Sequence, residues 1–232
     1  MRLVPFATPA LAPALALVGA LAAALALSAP AATTAAPSPA DLPTVTVGDQ
    51  VWLARNLDAT HFANGDPIPR ITGEAAWAAA GAQGRPAQSA YGNDESRVAR
   101  DGLLYNYAAI ADPRGLCPRG FRIPTDTDWN ALEATLGKDV AATRMKTRTG
   151  WPVTETGAPG NGIDDVGFGG LPAGFRTQRG DFFLGDRVAY FWSITELSPT
   201  TTTAHMLFDY DAKIFRIEYD KVMGMSVRCL KA

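Results

Sequence analysis

Beyond Gly150 the chain breaks into short apolar runs at residues 166–168, 182–184, 188–192, 205–208, 214–219 and 226–230, nearly all separated by Gly, Pro, Asp or Thr. Runs this short, rich in aromatic and β-branched residues and bounded by turn formers, predict a meander of antiparallel strands. Asp211-Ala212-Lys213 reads as the hairpin turn between two of them. The first half is different. Thr44-Val45-Thr46-Val47 and Gln50-Val51-Trp52-Leu53 alternate around Gly48-Asp49 and predict an opening hairpin. Residues 72–80, Ala-rich around Trp77 and stopping at Gly81, predict a short helix, and polar residues 82–102 a long surface loop. Leu103-Leu104-Tyr105-Asn106-Tyr107 is apolar enough to be buried. The clearest helix begins after Thr125. That residue can cap it, Asp126 and Asp128 suit its positive first turn, and Trp129, Leu132 and Leu136 share one face before Gly137 ends it. The pattern predicts one α+β domain over residues 43–232.

The first 31 residues contain no Asp or Glu and only one charge, Arg2, ahead of an Ala/Leu/Val run at 11–27 and an Ala29-Pro30-Ala31 site. This order predicts a signal peptide over 1–31, cleaved on export, and then an extended tether over 32–42. A retained anchor is the alternative, although an Ala-rich run of that length is short for a membrane span. No Cys follows the run to carry a lipid. The expected location is therefore outside the cell or in its envelope, with no membrane span after cleavage. A net charge of −2 with scattered Lys and Arg excludes a nucleic-acid module. Only Cys117 and Cys229 are present, and in an exported chain an even count predicts a structural disulfide. A redox or metal site would want C-x-x-C or His at close spacing, whereas His61 and His205 stand alone.

Few residues carry chemistry. No G-x-S-x-G occurs, and two isolated histidines offer no placed base. Asn161-Gly162-Ile163-Asp164-Asp165 is the best oxygen-rich loop. Asn161, Asp164 and Asp165 are the weak candidates for a hard cation such as calcium, but an Asx-type turn accounts for the same residues and no cofactor is expected. Arg179-Gly180-Asp181 reads as a strand-linking turn. On the C-terminal strands, Tyr190, Trp192, Tyr210 and Tyr219 are interleaved with Asp209, Asp211, Arg216 and Glu218. Flat aromatic surfaces flanked by charge stack on sugar rings or anchor protein partners.

Several segments together resemble a known family. They are Val51-Trp52-Leu53-Ala54-Arg55-Asn56-Leu57, Gly102-Leu103-Leu104-Tyr105-Asn106-Tyr107-Ala108 and Leu116-Cys117-Pro118-Arg119-Gly120-Phe121-Arg122-Ile123-Pro124-Thr125 with Trp129. Gly167-Phe168, Leu171-Pro172-Ala173-Gly174-Phe175-Arg176, Phe191-Trp192-Ser193-Ile194-Thr195-Glu196 and Ser226-Val227-Arg228-Cys229 complete the set. In this order they resemble the Fibrobacter succinogenes major paralogous domain family of exported bacterial proteins, over about residues 44–231. That family is similar to the C-type-lectin-like fold, in the branch of the formylglycine-generating sulfatase-modifying enzymes. The resemblance implies paired N- and C-terminal strands, two or three helices flanking a twisted antiparallel sheet, and a Cys117–Cys229 clip from the main helix to the last strand. It also implies that Trp192, part of a shared segment, is core. Asp209, Tyr210, Asp211 and Arg216, outside the shared segments, with Tyr190 and Tyr219, are the expected ligand-binding residues. The expected function is a non-catalytic module binding a polysaccharide or a cell-surface protein. The alternative is an enzyme of the formylglycine-generating type with an altered site, although its catalysis needs reactive cysteines and none remains near Cys229.

Overall fold

A computed structural model describes residues 42–232; the predicted signal peptide and nearly all of the tether lie outside the described residues. The chain opens with strands β1 (Thr44–Val47) and β2 (Gln50–Leu53), joined by the expected two-residue turn at Gly48-Asp49. Helix α1 (Glu74–Ala82), β3 (Gln88–Ser89), α2 (Val98–Asp101), β4 (Leu104–Asn106), α3 (Tyr107–Ile110) and β5 (Phe121–Arg122) follow. The two main-core helices are α4 (Asp126–Leu136) and α5 (Ala141–Met145). The C-terminal half is strand-rich: β6 (Phe175–Arg176), β7 (Phe182–Phe183), β8 (Val188–Glu196), β9 (Thr201–Phe208), β10 (Phe215–Asp220), β11 (Gly224–Met225) and β12 (Leu230–Lys231). The fold is mixed α and β, with antiparallel sheets ordered β1-β2-β12-β5, β10-β9-β8 and β3-β4-β11-β6-β7.

The last strand closes the fold. Leu230 of β12 pairs with Trp52 on one side and Arg122 on the other, so the C-terminus lies between the opening hairpin and the segment before α4. The Cys117–Cys229 disulfide ties two of these segments, the one before α4 and the C-terminal one, across a sequence separation of 112. Closing so long a loop removes unfolded-state entropy equivalent to about 5 kcal/mol in the chain-entropy model.

Helix α4 forms where its sequence places it. Thr125 Oγ1 accepts the Asp128 amide at 3.2 Å and Asp128 Oδ2 accepts the Thr125 amide at 2.7 Å, a reciprocal capping box. Arg122 clasps the same carboxylate, and with that partner Asp128 drops to a pKa of about 2. The buried stripe of Trp129, Leu132 and Leu136 packs in one core with Trp52, Phe168 and Phe191; the Trp129 ring lies 4.9 Å from Trp52 and 5.5 Å from Phe191. A second core gathers Leu103, Tyr105, Tyr190, Trp192, Met206 and Val227.

Three expectations change. Residues 82–102 are not a surface loop: Gln88 and Ser89 are buried on β3 and Asp101 is buried at the end of α2. Their polar groups find partners, since Arg70 donates to Gln88 Oε1 at 3.1 Å and both Arg97 and Arg100 reach Asp101 at 2.7 Å. Residues 166–168 form no strand; Gly167 and Gly169, at φ +71° and +66°, turn the chain around a buried Phe168. The run 226–230 is not one continuous strand: Ser226 bridges Phe191 and Leu230 pairs on β12, while Arg228 between them points inward. Its Nη1 donates to the Leu53 carbonyl at 3.2 Å and also to that of Phe168, and its Nη2 to Asn56 Oδ1 at 2.7 Å.

Candidate binding surface

Three buried cations stiffen the C-terminal half. Burial lowers Arg228 to a pKa of about 9 and Arg176 to about 10, which leaves both charged at neutral pH. Arg176 donates to the carbonyls of Gly180, Ile71 and Thr72 and stacks on Trp77. Through the first of these it anchors the Arg179-Gly180-Asp181 segment as the β6–β7 turn. Lys146 reaches the carbonyls of Phe208 at 2.9 Å and Asp211 at 3.1 Å, so its ammonium organises the turn between β9 and β10. Buried backbone carbonyls need donors, and these side chains supply them where no ladder can.

The expected ligand residues do not form one cluster. Strand alternation explains why. Phe215, Ile217 and Tyr219 point to the side of the sheet that carries Tyr190, while Arg216 points to the side facing α4. There Arg216 Nε binds Asp126 at 2.6 Å, and Asp126 Oδ1 also lies 3.0 Å from Nε2 of the buried His205. His205 stacks on Trp129 at 4.9 Å, and burial lowers its pKa to about 4 despite the neighbouring carboxylate. The imidazole is therefore neutral at pH 7 and donates to Asp126. Asp209 is buried too, with Oδ2 accepting from Arg187 Nε at 3.0 Å. Asp211 folds back on its own turn, accepting the Lys213 amide at 2.9 Å. For Asp209 the exposed, ligand-facing placement expected from the sequence is thus replaced by a buried ion pair, whereas Arg216 stays exposed with its Nε held by Asp126.

The tyrosines do converge. Tyr190 is buried, and its ring lies 4.7 Å from Phe175 and 5.7 Å from Tyr219. Burial, with Tyr219 beside it, holds its phenol well above the usual range. Phe175 continues to Phe183 at 6.2 Å. Across the β9–β10 turn, Phe208 lies 5.0 Å from Tyr210 and 5.2 Å from Phe215. These rings make an aromatic rim along the β10 side of the sheet. Its exposed members are Tyr210 at 63%, Phe183 at 52% and Ile217 at 40%. Tyr190 forms the rim's floor rather than a direct contact. Phe175, Phe183, Phe208 and Ile217 were not expected, although the alternation of Phe215, Ile217 and Tyr219 with charged residues was a readable signal. Trp192 is core, as expected, with Nε1 donating to the Tyr105 carbonyl at 2.7 Å.

Elsewhere the polar residues are mutually engaged. Asn161 Oδ1 accepts the Trp151 amide at 3.0 Å, Asp164 Oδ1 accepts that of Gly169 at 3.0 Å, and Asp165 pairs with Arg144. The three oxygen donors thus serve three different neighbours. Among the described residues no group of three or more His, Cys, Asp or Glu is placed to hold a metal ion. An open cleft of about 560 Å³ is lined by Asp94, Arg97, Arg100, Trp151 and Asp186. Its charges are already paired, Asp186 with Arg97 at 2.8 Å and with Arg100 at 2.9 Å. No helix among the described residues is long and apolar enough to cross a membrane.

The family description of the Fibrobacter succinogenes major domain matches residues 45–231, from β1 to β12. The chain belongs to this family. The match begins in the opening hairpin and ends on the strand that closes it, so the family unit coincides with the sheet pairing and the disulfide. No curated protein and no solved structure matches the chain. In this Fibrobacter succinogenes major domain Arg176 and Arg228 are buried cross-links, and Tyr210 is exposed on the rim.

Proposed function

We propose that this domain is an exported, non-catalytic binding module of C-type-lectin-like fold that takes polysaccharide on its aromatic rim. The observation that carries the reading is two groups of rings on one face of the sheet, Phe183, Phe175, Tyr190 and Tyr219 in one and Phe215, Phe208 and Tyr210 in the other, with the exposed Ile217 between them on β10. Such rings present flat apolar faces at low entropic cost, with tyrosine hydroxyls at their edge for sugar hydroxyls. The fold assignment rests on the β2–β12 closure, the flanking helices and the clip from the start of α4 to the last strand. Export rests on the N-terminal pattern and on the disulfide, a bond that persists in oxidising compartments. An enzyme of the formylglycine-generating type gains no support from the site: it needs a reactive thiol, and both cysteines are joined.

The test is capture on a panel of bacterial and plant polysaccharides, with and without EDTA, using protein purified from cells expressing the full chain. Saturable, EDTA-insensitive capture that Tyr210→Ala removes is the expected result. EDTA-sensitive capture would move the site to Asn161, Asp164 and Asp165. Failure to capture any polysaccharide would replace the ligand class with a cell-surface protein.

A further inference from the structure

Strand β10 is the edge of the β10-β9-β8 sheet, and no described strand covers its outer side. Edge strands are commonly blunted by Lys, Pro, a bulge or extreme shortness. The six residues Phe-Arg-Ile-Glu-Tyr-Asp of β10 contain no Lys, Pro or Gly, and their pairing to β9 is regular throughout. The sequence of this edge is also self-complementary. We infer that β10 pairs antiparallel with β10 of a second copy of this chain, about a two-fold axis through Ile217.

Symmetry and charge select that register. Two antiparallel strands related by a two-fold axis normal to the sheet keep their faces, so the axis must pass through a residue position. Centring on Arg216 opposes two arginines, and centring on Glu218 opposes two glutamates. Centring on Ile217 sets Arg216 opposite the second copy's Glu218 twice and Phe215 opposite its Tyr219 twice, with Ile217 against itself. Each such cross-strand pair is favourable, whereas like charges directly opposite are not. Both members of the charged pair have capacity to spare. Arg216 uses only Nε on Asp126, and among the described residues its Nη groups have no partner. Glu218, exposed, likewise has no ion-pair partner among them. The pairing covers the exposed Ile217, turns three strands into a continuous six-stranded sheet and sets two aromatic rims side by side. Whatever the rim binds, a dimer presents two sites on one surface, and a polymer with repeating units would be held by avidity.

The test is sedimentation equilibrium on protein purified from cells expressing the full chain, across a concentration series. The expected result is a reversible dimer. Glu218→Arg, which sets arginines opposite one another, weakens it by about tenfold or more, and Ile217→Lys, which puts two ammonium groups on the axis, does the same. Both positions are exposed, so thermal melting should stay near that of the parent. An equimolar mixture of Glu218→Arg with Arg216→Glu restores association as a heterodimer, because each arginine again meets a glutamate. A monomer at every concentration overturns the inference. So does a dimer indifferent to Ile217→Lys, or a mixture that fails to associate.

Discussion

The two faces of the β8–β10 sheet are built from alternate residues of the same strands and have opposite characters. On the α4 side the charges nearest the helix are tied into the fold, although at the sheet edge Arg216 and Glu218 keep exposed groups that are unpaired among the described residues. Asp126 receives both Arg216 and His205, and His205 lies flat on Trp129. On the other side the residues pass from core at Tyr190 and Trp192 to a rim of half-buried and exposed rings on β10 and its turn. The contrast separates what holds the fold from what is free to meet another molecule. Charge on these strands, which from sequence pointed to a ligand, belongs largely to the structural face. The apolar rings left without cover are the surface features that stability does not explain.

The contrast breaks most sharply at Trp129. Trp129→Ala empties the space between Trp52, Phe191 and His205, and we expect a loss of about 3–5 kcal/mol in chemical denaturation, with capture by the folded fraction unchanged. A smaller effect follows from pH. His205 has a folded pKa of about 4 against an ordinary value of 6.5. Between those values the unfolded state binds the extra proton, so stability falls as pH drops from 6.5 to 4. The loss is about 3 kcal/mol. Denaturation midpoints at stepped pH would show it, and His205→Gln should flatten the slope within that window. Asp126, held below the ordinary carboxylate range against its own burial by Arg216 and His205, adds a further loss only at lower pH. The smallest stability effect belongs to the rim. Tyr210→Ala should shift stability by no more than about 0.5 kcal/mol, yet remove polysaccharide capture.

Much of the scaffold was legible in the sequence because local chemistry decides it. Thr125 and Asp128 specify the start of α4, Gly48-Asp49 specifies the first hairpin, and two cysteines leave one pairing. What could not be read depends on partners distant in sequence. The polar stretch around Gln88 and Asp101 looked like surface because what buries it lies elsewhere: Gln88 sits on β3 beside β4 and takes a hydrogen bond from Arg70, while Asp101 pairs with Arg97 and Arg100 of its own segment, which also reach Asp186 across the fold. Arg228 breaks up a run that reads as a strand because its guanidinium is needed by the carbonyls of Leu53, Phe168 and Gly169. For the candidate site, Tyr210 and Tyr219 lie on the rim, Asp209 is buried against Arg187, and Arg216 is exposed on the opposite face, held by Asp126. A period-two pattern shows that Arg216 and Tyr219 lie on opposite faces; it does not show which face carries α4.

The most direct test sets one residue from each face side by side: capture of a single bound polysaccharide by the parent protein, Tyr210→Ala and His205→Gln. The account predicts that Tyr210→Ala weakens capture by about tenfold or more while melting like the parent, and that folded His205→Gln captures normally. Equal capture by the parent and Tyr210→Ala, or loss of capture confined to His205→Gln, would contradict the division of labour between the two faces.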